Sequence, residues 1–95
     1  MEPIAVTQAS ITLAGQIMEG LARQGYLISQ QRRILIAALC AAGSVDDVEA
    51  FWMQLRQQYG ISWATVYTNL NLLARHGWLI RSGRGPRSYT YTVIQ

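Results

Sequence analysis

Tyr59-Gly60-Ile61-Ser62-Trp63-Ala64-Thr65-Val66-Tyr67 holds the end of one helix-like segment and the start of the next. A helix-like segment ends at Tyr59, and glycine follows, as it commonly does after a helix. Ser62 then stands where a new helix needs an N-cap, because its hydroxyl can accept from a backbone N–H of the first turn. Beyond it Val66, Leu70 and Leu73 recur on one side, Thr68, Asn71 and Arg75 on the other, with Tyr67 on the flank. This spacing predicts a helix over about 62–76, ending before Gly77. Upstream, Val48, Phe51, Trp52, Leu55 and Tyr59 fall on one helical face. They predict a helix over about 45–59, capped by Ser44 or by Asp47. Gly60 and Ile61 alone separate the two segments, and so short a joint makes a helix-turn-helix.

Further toward the N-terminus, Ser29 is a suitable cap for a helix over about 30–42. Ile34, Leu35, Ile36, Ala38, Leu39 and Cys40 cover nearly all sides of it, so it is expected to lie buried between neighbours. Its polar first turn, residues 30–33, is left to reach the surface and includes Arg32. A first helix is expected over about 8–24, with Ile11, Ala14, Met18, Leu21 and Ala22 as the stripe facing the domain. Leu13 and Ile17 lie to one side of that stripe, with Ile4 and Val6 ahead. They are expected to form a homodimer interface; the alternative is that the N-terminal segment folds back and covers them.

Downstream of Gly77 the pattern changes from helix to strand. Trp78-Leu79-Ile80-Arg81 reads as a strand, and Ser82-Gly83-Arg84-Gly85-Pro86-Arg87 as a glycine-rich tip. Ser88-Tyr89-Thr90-Tyr91-Thr92-Val93 is β-branched, aromatic and alternating, so a hairpin is expected over about 78–93. The expected fold is one domain over residues 1–95, mainly α with a small β hairpin. Its order is that of a winged helix-turn-helix with an extra N-terminal helix.

Composition limits what such a domain does. Apolar residues make up 51% of the 95, enough for a core without disulfides. Charged residues reach only 14%, which suggests that some apolar surface meets a partner. The net charge is +3 and every cation is Arg. A preference for phosphate and guanine edges gives that bias, and so does a G- and C-rich genome. The single cysteine, Cys40, cannot close an internal disulfide and fits a reducing compartment. No apolar run reaches the ~18 residues of a membrane span, and Glu2 stands where a signal peptide would be basic. A cytoplasmic location is expected, with no membrane association.

The chemistry-bearing residues gather at the fourth helix and the hairpin. A helix-turn-helix lays its second helix in the major groove of B-form DNA with its N-terminal residues toward the bases. Here that end carries Ser62, Trp63, Thr65, Tyr67 and Thr68, with Asn71 one turn on. Tyr67 can lie against a thymine methyl and Asn71 can pair with adenine. Trp63 and Tyr67 can equally pack against the domain. Arg81, Arg84 and Arg87 on the hairpin suit phosphates or the minor groove, although a solvated loop is the alternative. Arg32 completes the expected DNA-contacting set. His76 closes the fourth helix, where a cation suits the dipole, and no Cys or acid stands at metal-ligand spacing from it. Asp46, Asp47 and Glu49 suit the start of the third helix. The expectation is therefore no catalysis, no metal and no cofactor.

Ile61-Ser62-Trp63-Ala64-Thr65-Val66-Tyr67, followed by Leu70, Leu73, Gly77 and Leu79, resembles the recognition-helix segment of the ferric uptake regulator family. Gly25-Tyr26-Leu27-Ile28-Ser29-Gln30-Gln31-Arg32 is similar to the segment that opens the second helix there. The resemblance covers about residues 10–93. It implies transcription regulation through AT-rich double-stranded operators, with Tyr67 touching a thymine. Two departures stand out: Thr68 takes the place of a usual Arg or Lys, and the family's metal-binding dimerisation domain has no counterpart here. The expectation is a sequence-specific DNA-binding regulator without its own sensor domain. The alternative is a winged-helix protein-interaction module that pairs with or modulates another regulator.

Overall fold

The computed structural model describes residues 7–83, 85 and 89–94. Ile4, Val6 and the hairpin-tip residues Arg84 and Arg87 lie outside the described residues. Four helices and three short strands follow in the order α1 (Gln8–Arg23), α2 (Gln30–Ala42), β1 (Ser44–Val45), α3 (Val48–Tyr59), α4 (Trp63–Arg75), β2 (Leu79–Ser82) and β3 (Thr90–Val93). The molecule is mainly helical with a small antiparallel sheet. Among the described residues, no helix is long and apolar enough to cross a membrane.

Each helix starts on a side-chain cap, which gives an otherwise orphaned N–H a partner. Thr7 and Ser10 form a reciprocal capping box on α1, and Ser29 caps α2. Asp47, rather than Ser44, caps α3 by accepting from Ala50 N at 3.0 Å. Ser44 is instead drawn into β1, so α3 begins at Val48 and not near residue 45.

The sheet order is β1-β3-β2. Arg81 pairs with Tyr91 and Leu79 with Val93 across β2–β3, while Val45 pairs with Tyr91 across β1–β3. Alternation along the strands places Leu79, Val93, Tyr91 and Val45 in the core. Ile80 and Thr92 are left on the outer face.

The core is one cluster. It includes Leu21, Leu35, Ile36, Leu39, Phe51, Leu55, Ile61, Val66, Leu70 and Leu73, all at most 5% exposed. α2 packs against α1, α4 and β1; Leu35, Ile36, Leu39 and Cys40 are buried, whereas Ile34 and Ala38 are half-buried and Ala37 is exposed, so the helix is enclosed on one side rather than all round.

α1 corrects two expectations. Its inward line is Ser10, Ala14, Ile17 and Leu21, whereas Ile11 is 54% exposed and Ala22 also faces solvent. Ile17, expected beside the packing face and in a dimer interface, is only 1% exposed and belongs to the monomer's own core. Leu13 is half-buried against that same core. The reason lies at Gly20, where the Trp78 ring docks so closely that a Cβ would stand 2.5 Å from its Cζ2. This contact and α2 together turn the 17–20–21 side of α1 inward. Tyr59, expected on the inner face of α3, is 49% exposed at the helix end.

Candidate nucleic-acid interface

The joint between α3 and α4 is built from three residues. Gly60 takes the left-handed conformation at φ 66°, which glycine adopts without a Cβ penalty. Ile61 plugs the core at 1% exposure. Ser62 caps α4, accepting from Thr65 N at 3.1 Å. Trp52 of α3 reaches over and donates its indole N–H to the Ile61 carbonyl at 3.0 Å, which pins the turn from the side.

At the start of α4, four of the sequence-predicted residues are brought together but partly engaged within the protein. The Ser62 and Thr65 hydroxyls bond each other at 2.9 Å, and Thr65 reaches Gln31 of α2 at 3.5 Å. Trp63 is held edge-on between Trp52 and Tyr67, with ring centroids 5.2 and 4.7 Å away. Arg56 lies 5.2 Å over Trp52 and extends the row. Packing thus accounts for one side of Trp63 and Tyr67, while Trp63 remains 38% exposed.

The outward face of α4 has a different character. Ala64, Thr68, Asn71 and Arg75 recur at i, i+4, i+7 and i+11, and all four are exposed. The side chains of Thr68, Asn71 and Arg75 make no hydrogen bond or ion pair among the described residues. The opposite face, Val66, Asn69, Leu70, Leu72 and Leu73, is buried.

Asn69 is the residue that sequence reasoning missed. At 4% exposure it is a buried polar group in an apolar row. Its Oδ1 accepts from Arg32 Nε at 2.7 Å, and its Nδ2 donates to the Thr65 carbonyl at 2.8 Å. Arg32 also donates through Nη1 to the Leu27 carbonyl at 2.6 Å and lies 5.9 Å from the Tyr26 ring centroid. Arg32, expected among the DNA contacts, is therefore a half-buried bracket that ties α2 and the loop before it to α4. A polar residue inside an apolar stripe is the signal that could have found Asn69.

Arg81 is the described member of the hairpin arginines. It is exposed, with its guanidinium 4.5 Å over the Tyr89 ring. Burial raises the Tyr91 phenol above its ordinary value of 10.0, and a hydrogen bond from Arg81 acts the other way. His76 caps α4, and its Nε2 stands 2.8 Å from the Tyr26 hydroxyl. Among the described residues no group of three His, Cys, Asp or Glu could hold a metal ion.

Charge is divided along the chain. Glu2, Glu19, Asp46, Asp47 and Glu49 are its carboxylate side chains, and from residue 50 onward there are none. That second half carries Arg56, Arg75, Arg81, Arg84 and Arg87. Compared with protein-family models and with curated proteins, the chain matches neither a family nor an individual protein.

Proposed function

We propose that the protein is a sequence-specific double-stranded-DNA-binding regulator whose fold is a winged helix. In this reading α2, α3 and α4 are the three helices, the β2–β3 hairpin is the wing, and α1 is an additional N-terminal helix. The observation that carries it is the outward face of α4. Its hydroxyl, amide and guanidinium groups have no protein partner among the described residues, and no carboxylate side chain occurs from residue 50 onward to repel phosphate.

Docked in a major groove, α4 offers Thr68 and Asn71 to base edges and the backbone N–H groups of its first turn to a phosphate. Tyr67, braced by Trp63, lies beside them. The likeness to the ferric uptake regulator's recognition segment points to AT-rich operators, where Tyr67 would meet a thymine methyl and Asn71 an adenine. The function proposed is binding, not catalysis.

Selection from a random duplex pool, followed by anisotropy titration at two salt concentrations, tests the reading. An enriched AT-rich sequence is expected, with Asn71→Ala weakening it by ~1–3 kcal/mol and relaxing one position. Equal affinity for all duplexes would refute sequence-specific readout.

A protein-interaction module is the second reading. It is favoured by Leu27, Ile80 and Ile11, which remain 81%, 56% and 54% exposed. No enrichment and no duplex binding at low salt would select it.

A further inference from the structure

Between the C-terminal half of α4 and strand β2 lies an open cleft of about 500 Å³, lined by Asn71, Ala74, Arg75, Leu79 and Arg81. Ala74 and Leu79 are its apolar lining, and Arg75 and Arg81 its cationic lining. Arg75 enters from the last turn of α4 and has no hydrogen-bonded or ionic partner among the described residues. Arg81 enters from β2, with its guanidinium over the Tyr89 ring and Tyr91 as its cross-strand partner. Asn71 adds an amide one helical turn before Arg75. Two arginines and an asparagine thus line one space, with no acidic residue among its lining.

We propose that this cleft is a phosphate clamp that receives a phosphodiester group of one DNA strand. The inference rests on the reading of α4 as the helix that meets DNA, and adds where the strand runs beside it. Guanidinium groups bind phosphate oxygens through paired N–H donors. The two arginines come from different elements, so a phosphate held by both fixes the sheet relative to α4 on the duplex. Asn71 stands at the boundary, with its amide turned either to a base edge or to that phosphate. Arg81 is preorganised by its tyrosines, whereas Arg75 is ordered on binding. The clamp supplies register and affinity and carries no sequence information itself.

The salt dependence of duplex binding by the full chain tests it. Arg75→Gln changes an exposed side chain and is expected to leave the fold intact, which a circular dichroism melt checks. It is expected to lower the slope of log K against log salt by about one unit, equally for selected and unselected duplexes. Arg75→Gln with Arg81→Gln is expected to lower it by about two, and Arg81→Lys to restore one. An unchanged slope in folded Arg75→Gln overturns the clamp while leaving α4 as the reading element. If the wild-type chain binds no duplex, the reading of α4 fails instead, and the phosphodiester clamp fails with it. Inorganic phosphate then serves as the probe. Saturable shifts of the Arg75 and Arg81 Nε–H resonances at millimolar phosphate would assign the cleft to a free anion, and none would leave it without a ligand.

Discussion

Asn69 is the residue on which the candidate interface hangs. A buried amide is costly unless its donors and acceptor are used, and here one side bonds Arg32 and the other the Thr65 carbonyl. Asn69→Leu fills the same space but leaves Arg32 Nε without its acceptor. A hydrogen bond to a charged group contributes about 1.5–3 kcal/mol, so a loss of that order in urea unfolding is expected. Unchanged stability would mean that water satisfies Arg32 and that the bracket contributes nothing. The same pair marks a limit of sequence reading. Val66, Leu70 and Leu73 announce their burial by period, but Asn69 finds its partner 37 positions away, and periodicity carries no information about such a pairing. Tyr67 and Trp63 are legible as residues of the α4 start. The bracing of Trp63 by Trp52 is not, because it depends on how α3 crosses α4.

Among the elements, α1 offers the sharpest contrast within one helix. Gly15 and Gly20 both sit in its interior, where replacing glycine by alanine favours the helix by about 1 kcal/mol. A Cβ at Gly15 meets nothing within 4 Å, whereas one at Gly20 runs into Trp78. Gly15→Ala is therefore expected to raise stability by about 0.5–1 kcal/mol. Gly20→Ala is expected to lower it by about 1–2 kcal/mol, because the docked indole must shift. Equal stabilisation by both, in parallel urea titrations, would show that Trp78 does not rest on α1. The contact also explains why period alone does not pick out the inward face of α1. Seven apolar positions cover half its circumference, and the side that turns inward is chosen by α2 and Trp78 rather than by the helix itself. The strand pair Ser44–Val45 is hidden for a similar reason, since its partners Thr92 and Tyr91 lie at the far end of the chain. The four helices and the β2–β3 hairpin, by contrast, follow from local caps, glycines and period. Because Ile17 is core, Ile17→Glu would unfold the monomer and says nothing about a dimer.

At the scale of the whole molecule, the buried core couples stability to alkaline pH. Burial raises the Cys40 thiol from 9.0 to about 11. The unfolded thiol ionises first, so the stability it supports is complete below pH 9 and is lost as pH rises toward 11. Tyr91, raised by burial in the same direction, adds to the fall above its ordinary value of 10.0. A decline on the order of 2 kcal/mol is expected across this window, with part of it absent in Cys40→Ala. A flat profile in both proteins would show that neither group is desolvated. Charge is also unevenly divided along the sequence. Its acids lie before residue 50, while five arginines lie after it, and the outward face of α4 belongs to that acid-free half. Titration of the isotope-labelled full chain with a selected AT-rich duplex, followed by amide and side-chain resonances, tests the central claim most directly. Shifts concentrated at Ser62, Ala64, Thr68, Asn71, Arg75 and Arg81 are expected, with α1 unaffected. Shifts confined to α1, or none with any duplex at low salt, would contradict it.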